Sequence, residues 1–287
     1  MVRWLPSFRS KAPAAAAVPE QAPPEPVAPA AAAPVLDGGR FRIESYSRTH
    51  EGCVRTHNED SYVARDDGGL WAVADGMGGH EGGEWASGRI VRELGRIDLA
   101  LGYEDTCEEA AQGVTAANKQ ILTEGRKRGK SMGSTVVMLV IEGAHYAVLW
   151  AGDSRAYLMR GGKLERLSRD HTQVQEMVTR GLLTAEQAQG HPMGHVLSRA
   201  VGVQKAVEIE RAEGEVQPGD IFLLCSDGLH GVVGEEAIAA HFAREAPDRA
   251  LDQLIDLTLE KGAPDNVTGI AIWISEPTLL SFAETRP

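Results

Sequence analysis

STVVMLVIEG at 134–143 and AHYAVLWAG at 144–152 stand back to back, two almost unbroken apolar runs separated by a polar Glu142-Gly143 break. A strand with one wet face alternates apolar and polar residues, whereas a run without alternation fits a strand covered on both sides. The sheet holding these runs therefore needs a layer on each face. Working outward, FRIESYSRTH (41–50) reads as a strand, and SYVARDD (61–67), a Gly68-Gly69 turn and LWAVADG (70–76) as a hairpin. Further strands are expected around the Gly161-Gly162 turn, at DIFLLCSDG (220–228) and at VTGIAIWIS (267–275).

Helical spacing appears between these runs. EGGEWASGRIVREL (81–94) is expected to be helical after its glycines. Thr106 and Glu109 have the spacing of a capping box, followed by an apolar face of Cys107, Ala110, Ala111, Val114, Ala117 and Ile121. GEEAIAAHF (234–242) and DRALDQLIDLTLEKG (248–262) form a second pair, the latter with Asp248 as its expected cap and Gly262 as its stop. Strands and helical pairs do not follow a repeating β-α-β alternation. The pattern is that of an α+β fold with two antiparallel sheets and helices outside them.

Eight of the 14 prolines fall between Pro6 and Pro34 in an alanine-dominated stretch. That density blocks helix and sheet alike, so residues 1–39 are expected to be a disordered tail, with Gly38-Gly39 as its boundary. One domain over 40–276 and a short C-terminal tail over 277–287 complete the chain. A net charge of −12 argues against a basic nucleic-acid-binding surface. Cys53, Cys107 and Cys225 are scattered, with no CxxC pair, which fits neither a disulfide framework nor a zinc site and suits a reducing compartment. No apolar run reaches the roughly 18–20 residues of a membrane span. Arg3, Trp4, Leu5, Phe8, Arg9 and Lys11 hint at an interfacial anchor but form no signal peptide, and the expected location is the cytoplasm, with membrane association not expected.

Three aspartates end hydrophobic strands at tight turns: Asp75 in WAVADGMGG, Asp153 in VLWAGDSRAY and Asp227 in FLLCSDGL. A fourth, Asp265, precedes a strand in APDNVTGIAIW. Each taken singly is an ordinary turn residue. Together they place several carboxylates against apolar strand ends, where charge is costly unless paired or bound to a cation. An all-oxygen donor set suits Mg²⁺ or Mn²⁺. GCVRTHNEDSYV (52–63) adds Glu59 and Asp60 beside Arg55. Arg55 and Glu59 are either a surface ion pair or an anion-binding arginine next to a cation site, the combination that phosphate chemistry uses.

Taken in order, GCVRTHNED, WAVADGMGGHEGGE, MGSTVV (132–137), AGDSRAYL (151–158), LSRDHT (167–172), HPMGHVLSRAVG (191–202), LLCSDGL (223–229) and DNVT (265–268) resemble the metal-dependent type 2C serine/threonine protein phosphatases in their bacterial form. The resemblance spans about 41–275 and implies a four-layer α-β-β-α sandwich of two antiparallel sheets, with two Mn²⁺ or Mg²⁺ ions at the sheet edges. It implies that Asp75 bridges the ions, that the Gly76 carbonyl binds one, and that Asp227 and Asp265 bind the other. Glu59 and Asp60 would hold metal-bound waters and Arg55 the substrate phosphate. The segment from about Asp170 to Gly202 corresponds to the family's flap. Implied partners are phosphoserine and phosphothreonine proteins, including a bacterial Ser/Thr kinase whose action would be reversed.

Two departures stand out. Met77 occupies the place where many eukaryotic relatives carry a histidine, and His80 lies outside that motif position. Asp153 corresponds to a ligand of an additional ion, yet Gly231 replaces its partner acid, so a third ion would be weakly held. Cys225 lies near Asp227, but no Cys-x5-Arg loop follows it, which removes a cysteine-phosphatase reading. A catalytically silent binding module, an enzyme dedicated to one regulatory protein and a structural cation-binding protein are the alternatives. The complete acid set argues against the first, and the absence of EF-hand spacing against the last.

Overall fold

The unalternating runs are covered on one face by a second sheet and on the other by helices. The computed structural model describes residues 35–37, 41–79, 81–100, 102–188 and 190–276; the expected tails at 1–34 and 277–287, the Gly38-Gly39 boundary and His80 lie outside the described residues. In chain order the elements are β1 (Val35–Asp37), β2 (Phe41–His50), β3 (Asp60–Arg65), β4 (Leu70–Met77), α1 (Glu81–Leu94) and α2 (Tyr103–Arg128). There follow β5 (Gly133–Ser134), β6 (Val136–Glu142), β7 (His145–Ala151), β8 (Arg155–Arg160), β9 (Lys163–Arg166), α3 (Gln173–Thr179) and α4 (Ala185–Ala188). The chain continues through β10 (Glu210–Glu215), β11 (Ile221–Cys225), α5 (Asp227–His230), α6 (Glu235–Phe242), α7 (Pro247–Glu260) and β12 (Val267–Ser275). One sheet runs β1-β2-β12-β11-β8-β9 and the other β10-β7-β6-β4-β3, with β5 paired to β4. The pairings are antiparallel.

The core explains the layering. Trp71, Val73, Val137, Leu139, Val148 and Trp150 of one sheet meet Phe222, Leu224, Ile270 and Ile272 of the other. On the far face of the first sheet, Ala72, Met138, Val140 and Leu149 pack against Ile90, Val114, Ala117 and Ile121 of α1 and α2. On the far face of the second, Tyr157, Leu223 and Ala271 pack against Ile238, Phe242, Leu251, Leu254 and Ile255 of α6 and α7. Both residue parities of β6 and β7 are thus buried, and each fully buried Leu, Ile or Phe stabilises the fold by roughly 1.5–3 kcal/mol. The four-layer α-β-β-α sandwich is the observed architecture.

Four local expectations need correction. Residues 35–37, assigned to the tail, form β1, with Val35 opposite Ile43. The α2 helix begins at Tyr103, so Thr106 sits inside its first turn, buried, with a side-chain oxygen that has no hydrogen-bond partner. Tertiary contacts recruit the extra residues: Tyr103 donates to the Tyr146 carbonyl at 2.8 Å and Arg211 pairs with Glu104 at 2.9 Å. In α7, Pro247 takes the first helical position, which puts Asp248 in the first turn and Ala246 at the cap. The α1 helix includes Gly82 and Gly83 rather than following them. A Cβ at Gly83 would lie 2.1 Å from Glu59 Oε2, so only glycine lets this helix approach the β3–β4 edge.

Antiparallel pairing also gathers the acidic turns. β3 begins where β4 ends, with Asp60 opposite Asp75. β12 begins where β11 ends, with Gly269 opposite Cys225, and β7 ends beside the start of β6. Among the described residues no helix is long and apolar enough to cross a membrane.

Candidate active site

A cleft of about 700 Å³ opens at this common edge, lined by Arg55, Glu59, Asp75, Gly76, Asp153, Asp227 and Asp265. Asp60 lies just beneath it, buried, accepting a 2.8 Å hydrogen bond from the Ser226 hydroxyl on one carboxyl oxygen. Its other oxygen has no hydrogen-bond partner. A buried, half-satisfied carboxylate is costly unless a proton or cation completes it. Burial pushes the Asp60 carboxyl up to about 7, against hydrogen bonds from Thr268 and Ser226. Burial likewise carries Asp153 to about 7, with Asp227 and Asp170 adding repulsion. Asp75 is raised well above the usual range by burial and by Asp60, Asp227, Asp153 and Asp265. Asp227 departs in the other direction: burial would raise it, but His195 and His230 hold it low.

Among the described residues, no three histidine, cysteine, aspartate or glutamate side chains are gathered tightly enough to hold a cation by themselves. Asp265 is engaged on both oxygens: Oδ2 accepts a 2.8 Å hydrogen bond from Arg55 and Oδ1 accepts the Asn266 N–H at 2.9 Å. Arg55 therefore has Asp265 as its hydrogen-bonded partner, with Glu59 adding electrostatic attraction. The donor chemistry still fits a hard cation. Carboxylates converge at this edge, one carboxyl oxygen is unsatisfied, and their mutual repulsion is of the kind that a divalent ion relieves.

Several positioning residues escaped the sequence reading although, His230 apart, its motifs contained them. Asn266 accepts the Glu59 N–H at 2.8 Å and donates to the carbonyls of Glu51 and His57 at 2.8 and 2.9 Å, lacing the Arg55 loop to β12. Thr135 Oγ1 accepts the Asp75 N–H at 3.1 Å and lies 2.7 Å from the Ser154 hydroxyl. His195, which lines the cleft, brings Nδ1 within 3.8 Å of Asp227. His230, on the short α5 helix headed by Asp227, donates from Nε2 to the Asp153 carbonyl at 3.0 Å. Gly231 closes that helix with its N–H on the Asp227 carbonyl at 2.8 Å and adds no carboxylate beside Asp153. Met77 lines the cleft and offers no proton. Cys225 is buried with its thiol pushed up to about 12, which keeps it from acting as a nucleophile.

Comparison with known proteins agrees with this geometry. The protein phosphatase 2C family matches residues 49–257. The structure of PppA, described as a key regulatory component of T6SS in Pseudomonas aeruginosa, superposes with a TM-score of 0.75 and 40% identity, covering 81% of this chain and 97% of that one. The catalytic domain of the serine/threonine phosphatase PstP, in complex with 2 manganese ions, gives a TM-score of 0.73 and 33% identity over 81% of this chain and 98% of that domain. Full-length PstP of Mycobacterium tuberculosis is 34% identical over 243 residues, 84% of this chain. The chain spans about half of that relative, 46% of its length.

Proposed function

The chain belongs to the protein phosphatase 2C family, and from that premise we propose that it is a metal-dependent protein phosphatase that hydrolyses phosphoserine and phosphothreonine. The observation that carries this reading is the cluster of Asp60, Asp75, Asp153, Asp227 and Asp265 at one sheet edge, with an unsatisfied buried oxygen and Arg55 at its rim. Two Mn²⁺ or Mg²⁺ ions bound there would supply an activated water and neutralise the charge of the phosphoryl oxygens.

The residues then divide the work. Asp75 would bridge the ions, the Gly76 carbonyl would serve one, and Asp227 with Asp265 the other. Glu59 and Asp60 would hold coordinated waters. Asp153 would support a weakly held third ion, since Gly231 adds no carboxylate. Arg55 reaches Asp265 through one Nη2 contact and has further N–H donors for a phosphate, which it would orient without leaving its loop. Ser226, Thr135 and Asn266 fix Asp60, Asp75 and Glu59 before substrate arrives, so little reorganisation is left for the reaction itself. The expected substrates are phosphorylated proteins in the cytoplasm, including a Ser/Thr kinase whose action it reverses. Removal of divalent ions should abolish hydrolysis of a phosphopeptide and of p-nitrophenyl phosphate, and Mn²⁺ or Mg²⁺ should restore both. Full activity in thoroughly metal-stripped protein would overturn the reading.

A further inference from the structure

His171, in LSRDHT, is buried away from the acidic cleft, and nothing in the proposed chemistry uses it. Its ring nitrogens nevertheless tie the Gly152 turn to Glu210 of β10, which also holds Arg199. Nδ1 lies 3.1 Å from the Gly152 N–H. A backbone N–H can only donate, so Nδ1 is the acceptor and Nε2 carries the proton. That proton points to Glu210 Oε1, at 3.0 Å, which also receives Arg199 Nη1 at 3.1 Å. The 3.1 Å approach of Arg199 to Nε2 is therefore two donors sharing one carboxylate. Burial, with Arg199 beside it, holds the imidazole below its usual range and keeps it neutral, as an acceptor at Nδ1 requires.

Each end leads to the cleft. Gly152 precedes Asp153, and its φ of 120° brings it so close to Thr135 that a Cβ would lie 2.5 Å from the threonine Cβ. Thr135 in turn holds the Asp75 N–H. On the other side, the His171 carbonyl accepts the Ser198 N–H at 2.8 Å, and Thr172 bridges Leu197, which closes the base of the flap. Leu197, Ser198 and Arg199 line the cleft.

We propose that His171 is a positioning residue, a two-ended latch that sets the Gly152-Asp153 turn through Nδ1 and, through Nε2 with Glu210 and Arg199, the base of the flap. The proposal rests on the phosphatase reading for its kinetic consequences, but not for its structural one. Three replacements separate the two nitrogens. His171→Asn can accept from Gly152 but does not reach Glu210; His171→Gln reaches Glu210 but offers Gly152 no acceptor; His171→Phe keeps a flat ring against Trp150 and makes neither bond.

Amide exchange of Gly152 in the metal-free protein, Mn²⁺ titration calorimetry, and kcat and KM on a phosphopeptide would be measured for each, with Asp75→Ala as control. His171→Asn should keep Gly152 protected and kcat near wild type while raising KM. His171→Gln and His171→Phe should speed Gly152 exchange and lower kcat by about 10- to 100-fold, with binding of the two tightest Mn²⁺ ions retained. Equal losses in all three, or wild-type Gly152 exchange in His171→Gln and His171→Phe, would overturn the latch. Turnover surviving in Asp75→Ala would remove Asp75 from the mechanism, whereas no phosphopeptide turnover in the Mn²⁺-loaded wild type would overturn the phosphatase reading, and the Gly152 result would still decide the latch.

Discussion

Strand β4 runs through two chemically opposed regions. From Leu70 to Ala74 it is sealed between layers, and from Asp75 onward it enters a cleft where carboxylates face one another. The same change occurs along β11, whose Phe222–Cys225 segment is buried while Asp227 stands at the cleft. The apolar half favours folding at any pH. The acidic edge opposes it, because burial and repulsion raise Asp60, Asp75 and Asp153 while no cation compensates them. One region provides the stability that lets the other be held in an unfavourable arrangement ready for metal.

The strongest way to break that contrast is Asp75→Asn, which keeps the shape and removes the charge. Turnover should fall by more than about 100-fold, beyond the usual effect of an outer-shell change. The melting temperature of metal-free protein should rise, by the equivalent of about 0.5–2 kcal/mol. Unchanged turnover would remove Asp75 from the mechanism, and a lower metal-free melting temperature would show that repulsion is not what the edge costs. The converse change is Leu139→Ala between the sheets, with an expected loss of about 2–5 kcal/mol in denaturant unfolding. The protein that remains folded should keep its kcat; a collapse of kcat at full occupancy of the native state would mean that the two regions are not separable.

Acidity sharpens the contrast further. Asp60 and Asp153, raised to about 7 when folded, favour the metal-free fold fully below their unfolded values and lose that contribution as pH rises toward about 7. Asp170 behaves oppositely. Burial would raise it, but the Arg155 guanidinium, at 2.6 and 2.9 Å, holds it low, so its contribution persists above about pH 4 and vanishes as pH falls through its depressed folded value. Metal-free protein should therefore melt highest in mildly acidic buffer and lower at pH 8. Mn²⁺ at 100 times its dissociation constant should return about 2.7 kcal/mol. A metal-free melting temperature that is flat from pH 5 to 8 would contradict the raised carboxyls.

The smallest expected stability effect is at Arg55, half exposed in its pair with Asp265. Arg55→Ala should change stability by no more than about 1 kcal/mol, yet raise KM for a phosphopeptide strongly with a smaller loss in kcat. An unchanged KM would leave the pair a loop tie and nothing more.

Much of the architecture was legible because burial writes itself into residue order. The unbroken runs at 134–152, the hairpin at 61–76 and the periodic faces of α2 and α7 identify layers from local pattern alone. Helix starts were less legible. Tyr103 joins α2 through contacts to Tyr146 and Arg211, partners 43 and 108 positions away, which no local capping pattern contains. In α7 the deciding signal is Pro247, whose fixed φ suits the first helical position and starts the helix ahead of Asp248.

The sequence by itself determined that apolar strands would end in carboxylates and that an arginine would accompany them. Those are properties of neighbouring residues. Which acid would lie buried and half-satisfied, that Arg55 would take Asp265 as partner, and that Asn266 and His171 would hold distant turns were decided only by tertiary structure. Asp60 meets Ser226 across 166 residues, and Glu59 meets Asn266 across 207. Antiparallel pairing of strands remote in sequence brings those ends to one edge. Burial then assigns each carboxylate its proton affinity, through neighbours that the linear order does not reveal.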